Sequence, residues 1–62
     1  MTLYGENGEL TEAGVELHDC LWQILLPLMT QMVQVGYPAR EVCHVVIGVA
    51  TNLENLILLT VG

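Results

Sequence analysis

Four side chains in this sequence carry the imidazole or thiol donors suited to metal or nucleophilic chemistry: His18, Cys20, Cys43 and His44. Two cysteines and two histidines are the ligand inventory of a structural zinc site, whose donors must converge within about 2.3 Å of one ion. Their spacing works against convergence. On a helix, His18 and Cys20 point about 200° apart, and Cys43 and His44 about 100° apart. A cysteine and a histidine facing each other across a hairpin would resemble a thiol nucleophile and its base. Nothing supplies an oxyanion hole, a third group to orient the base or a concave pocket, and so short a chain has little room for one. The expectation is a non-enzymatic protein with no catalytic residues, no metal and no cofactor. His18 then lies near an acidic edge, and His44 is a solvated or interfacial helix residue. The two cysteines, 23 positions apart and not in a CxxC pair, read as buried small apolar thiols. A disulfide between them would need an oxidising compartment that nothing here indicates.

Charge narrows the function classes further. The formal net charge is −6 and Arg40 is the sole basic residue. Affinity for a nucleic-acid backbone comes mainly from Lys and Arg releasing counterions, so direct nucleic-acid binding is excluded. An anionic membrane surface is disfavoured for the same reason. Five of the seven acids, Glu6, Glu9, Glu12, Glu16 and Asp19, fall in the first 19 residues. Glu9, Glu12, Glu16 and Asp19 form a candidate acidic edge for a basic partner surface, or an imitation of DNA phosphates. The plainer reading is a solvated edge that also suits a helix N-terminus. No basic n-region or cleavage site marks a secretory signal, which makes the cytoplasm the expected compartment.

These side chains must be placed by a very apolar chain. Hydrophobic residues make up 53% of the sequence and charged residues 13%, about half the usual charged share of a soluble domain. The opening MTLYGENGEL, with Gly5, Asn7 and Gly8, reads as an irregular or turn-forming arm over residues 1–10, from which Leu3 and Tyr4 can dock on a core. Thr11 suits an N-cap, with Glu12 and Glu16 in the first turns, so a helix is expected over about 11–35. Leu17, Leu21, Ile24, Leu28, Met32 and Val35 form one apolar stripe on it, and Val15, Trp22, Leu26, Met29 and Val33 form another. Pro27 interrupts the run ILLPLM, but the periodicity stays in phase on both sides. One bent helix is expected rather than two.

The clearest local signal is VQVGYPAREV. Gly36 suits the left-handed C′ position, Tyr37 can pack back near Met32, and Pro38 fits the first position of a new helix. A turn at 36–37 this short makes the helices neighbours. The second helix, over about 38–59, carries Val42, Val46, Val49, Leu53 and Leu56 at heptad-like spacing. Gly48, unfavourable inside a helix, reads either as close helix approach or as a tolerated weak spot.

Both helices carry more apolar face than one partner helix covers. The expected fold class is all-α: a helical hairpin pairing into a homodimeric four-helix bundle. Its interface and core are expected at Leu17, Leu21, Trp22, Leu25, Leu28, Met29 and Met32 of the first helix, with Val42, Val46, Val49, Leu53 and Leu56 of the second. No membrane span is expected, because Asn52, Glu54 and Asn55 would lie at the centre of the apolar segment 45–62 and uninterrupted apolar runs fall short of the roughly 20 residues needed.

An acidic arm followed by a cysteine-bearing helical hairpin joined by GYPAREV resembles the short all-helical proteins of the lambdoid phage early region between exo and xis. That resemblance implies a small accessory protein made early in infection, acting on the host cell or on the choice between lysis and lysogeny. The expected activity is regulatory protein-protein interaction by the homodimer with a host or phage protein in the host cytoplasm. The alternative is an acidic inhibitor that occupies a DNA-binding protein, and a third class is a peripheral membrane peptide or small toxin.

Overall fold

Helix α1 (Glu12–Val35) begins where the backbone first finds a cap. Thr11 has extended backbone angles, and its Oγ1 accepts the Gly14 N–H at 3.2 Å. That bond satisfies one of the donors a helix start leaves unpaired. The same hydroxyl donates to the Thr2 carbonyl at 2.8 Å, so a single threonine ties the helix start to the chain ahead of it. The computed structural model describes residues 1–61 and is an all-α helical hairpin of α1 and α2 (Ala39–Val61).

The arm before α1 is more ordered than its composition implied. Gly8 N–H donates to the Gly5 carbonyl at 3.1 Å, and Gly5 N–H donates to the Glu9 carbonyl at 2.7 Å. Gly8 has φ 82°, in the region that only glycine enters without strain. These bonds close a tight loop, with a bridge between Tyr4 and Leu10 beyond it. Thr11 N–H reaches back to the Leu3 carbonyl at 2.9 Å. The loop therefore folds onto the first turns of α1.

Helix α1 runs without a break through Pro27. Pro27 removes the N–H that would bond the Gln23 carbonyl. Gln23, Thr30 and Gln34 lie four before, three after and seven after it, so the proline sits on the polar strip. The freed carbonyl faces water, which can satisfy it.

At the C-terminus of α1 the chain reverses through two bonds. Gly36, at φ 126°, donates to the Val33 carbonyl at 3.1 Å, and Tyr37 donates to the Met32 carbonyl at 3.2 Å. This is the paired pattern that ends helices on a glycine. Pro38 sits one residue earlier relative to α2 than expected: its carbonyl accepts the Val42 N–H at 3.1 Å, so it caps the helix rather than occupying its first turn.

The hairpin has almost no interior. Gly14 is the only buried residue among the described residues, and no apolar side chain is buried. Half-burial is reached by Leu25 and Met29 on α1 and by Val42 and Val46 on α2, in the halves of the helices nearest the turn. From Ile47 to Val61 every residue of α2 is exposed.

Candidate functional site

The residues expected to form the interface separate into three groups along the hairpin. Nearest the turn, Leu28, Met29 and Met32 of α1 join Val42, Val45 and Val46 of α2 around an apolar cleft of about 400 Å³. Tyr37 and Glu41 complete its lining, so Tyr37 shares this cleft with Met32. Next along α1, Leu21, Trp22, Leu25, Leu26 and Met29 line a groove of about 500 Å³ together with His18. No residue of α2 contributes to it. At the open end, Leu17 and Leu21 meet Leu3, Tyr4 and Leu10 of the arm around a smaller hollow of about 200 Å³.

Three expected interface residues are brought to none of these groups. Val49, Leu53 and Leu56 on the distal half of α2 are half-exposed or more, at 52%, 50% and 59%. Trp22, at 59% exposure, forms one wall of the α1 groove with nothing laid over it. Its indole stacks on the His18 ring, with centroids 5.9 Å apart and planes at 23°.

The acidic edge is partly gathered. Glu12 and Glu16 flank a shallow depression that also involves Met1, Thr2 and Thr11. Asp19 lies seven residues from Glu12 and shares its strip of the helix. Its carboxylate is 3.3 Å from His18 Nδ1, an exposed pair of little energetic weight. Glu9 stands apart in the arm, where its carbonyl closes the loop.

The cysteines correct one expectation, and Gly48 fits the second of its two readings. Cys20 and Cys43 are free and exposed rather than buried, since the single hairpin has no core to enclose them. No group of three or more His, Cys, Asp or Glu side chains converges among the described residues. Gly48 has nothing within 4 Å of where a Cβ would stand, so no helix approaches it in the hairpin. The close approach occurs at Gly14 instead. A Cβ there would run into the Leu3 carbonyl oxygen and would stand 2.9 Å from Leu10 Cδ2. The sequence reading passed over Gly14; its signal was a glycine in the first turn of a helix, where Ala would be about 1 kcal/mol better.

By length and composition α2, at 23 residues, is apolar enough to cross a membrane. It would reach about 35 Å, against a hydrocarbon core of about 30 Å. Glu54, Asn52 and Asn55 nonetheless interrupt its apolar surface.

Comparisons with protein-family models, with curated proteins and with solved structures found no match.

Proposed function

We propose that this chain is a non-enzymatic interaction protein that works as a homodimeric four-helix bundle. One observation carries the reading: no apolar side chain of the single hairpin is buried, although more than half the sequence is apolar. A chain of this size is marginal as a monomer, and oligomerisation is one of the few remedies open to it. The acidic strip of Glu12, Glu16 and Asp19 lies outside the apolar faces, where it remains free to meet a basic partner surface. The biological setting that fits such a module is the one its sequence resembles: a phage or prophage accessory protein in the host cytoplasm. There it would bind a host or phage protein and act on host physiology or on the choice between lysis and lysogeny, without touching nucleic acid itself.

Light scattering on the purified chain at micromolar concentration tests this directly. The expected mass is twice that of the chain, with loss of helix on dilution; a well-folded monomer would overturn the reading. A second reading, membrane insertion through α2, is favoured by that helix's length and exposure. It predicts flotation with neutral lipid vesicles, whereas the dimer stays in the soluble fraction.

A further inference from the structure

The open end of the hairpin holds a mismatch that points to how two copies would fit. Leu21 and Gly14, which meet the arm, are spaced seven and fourteen residues before Leu28, which faces α2 in the cleft near the turn. Two and four helical turns bring these residues close to one line. The arm therefore occupies the flank of α1 that faces α2 nearer the turn. Leu53 lies as far beyond the turn as Leu21 lies before it, and in a closed hairpin the two would meet. Instead Leu53 is 50% exposed, while Leu21 is shared between the arm hollow and the α1 groove.

We infer that the distal seam of α2, Val49, Leu53 and Leu56, docks in the Trp22 groove of a second copy and not on its own α1. The inference rests on the homodimer reading and specifies which surfaces make it. Each chain has one groove and one seam. A two-fold axis satisfies both pairs at once and leaves no apolar end open to a third copy. The surfaces match in chemistry: apart from His18 the groove is lined by apolar side chains, the seam is apolar throughout, and Thr60, which continues the seam, returns its hydroxyl to the Leu56 carbonyl at 2.9 Å. The seam thus stays apolar where the sequence turns polar.

Area supports a second copy as the occupant. The chain exposes 5615 Å² at a mass of 6.8 kDa, where a folded monomer of that mass exposes about 4,000 Å². A dimer with ordinary surface for its size would hide roughly 4,700 Å² between its chains. That lies within the obligate range of about 2,000–5,000 Å², well above what a docked peptide or a transient partner removes.

Isotope-filtered NMR on an equal mixture of labelled and unlabelled wild-type chains decides the matter. Contacts between the Trp22 indole and the methyl groups of Leu53 or Leu56 are expected across chains. The same contacts within one chain, or none, would overturn the inference while leaving the dimer itself standing. In parallel, Leu53→Asp should raise the dissociation constant about a hundredfold or more, with helix content recovered at high concentration. A variant that dimerises like the wild type would also sink it. A monomeric wild-type chain would overturn both the inference and the homodimer reading.

Discussion

The two ends of the hairpin are held by different kinds of interaction. At the arm and the start of α1, the closest contacts join residues at most eleven apart: Thr11 to Thr2 and Leu3, Gly14 to Leu3 and Leu10, Gly5 to Glu9. Most of these are hydrogen bonds, and they give that end a defined form without a core. The distal half of α2 has only its own helical bonds, and its apolar residues face outward. Helices in water owe most of their stability to packing of one face rather than to propensity. The first end is therefore given its form within one chain, and the second presents an apolar face that nothing in the hairpin covers.

Substitutions at each end test that contrast. Leu56→Ala carries the largest expected effect, a loss of about 2–5 kcal/mol of dimer stability if the seam is enclosed by a second copy. Denaturant unfolding at fixed protein concentration measures it; a loss under about 0.5 kcal/mol, ordinary for a surface site, would place the seam in solvent. Gly14→Ala comes next. The added methyl must displace the Leu3 carbonyl or the Leu10 side chain, at a cost of about 1–3 kcal/mol that exceeds the gain in helix propensity. Hydrogen exchange should show the Thr11 amide losing protection as the arm lifts, while α2 amides stay as they were.

Gly36→Ala should cost about 1–2 kcal/mol, because φ 126° is unfavourable for any residue with a Cβ. The melting temperature reads the loss, and an unchanged value would mean the turn can close without that conformation. Gly48→Ala is the smallest effect and has the opposite sign. With open space around the position, removing a helix-interior glycine should stabilise the protein by about 0.5–1 kcal/mol. Destabilisation there would instead reveal a helix of the second copy packed against Gly48, and would move the interface to the other side of α2.

What the sequence disclosed divides along the same line. The Gly36-Tyr37-Pro38 turn, the Thr11 cap and the continuity of α1 past Pro27 were legible because each depends on backbone chemistry within a few residues. That Leu3 and Tyr4 can dock was legible too, but the contact that seats the arm was not. It depends on a carbonyl at position 3 meeting a missing side chain at position 14, and no periodic pattern records a contact of that kind. The surplus of apolar face on both helices was plain from spacing. The separation of α2 from α1 at the open end was not, since a heptad seam looks the same whichever helix it faces. Treating both cysteines as buried followed from composition, and composition says nothing about whether an interior exists in a single chain.

The absence of any buried apolar side chain also bears on how long such a protein survives in a cell. If two copies pair as proposed, a lone copy presents its leucines to chaperones and proteases from the moment it is made, and shelter comes only by meeting another copy. Degradation that follows the open population then falls steeply as the concentration rises past the dissociation constant. Abundance would behave as a threshold: scarce copies are cleared quickly, while a burst of synthesis protects itself. When synthesis stops, dilution by cell growth is enough to hand the remaining chains back to the proteases.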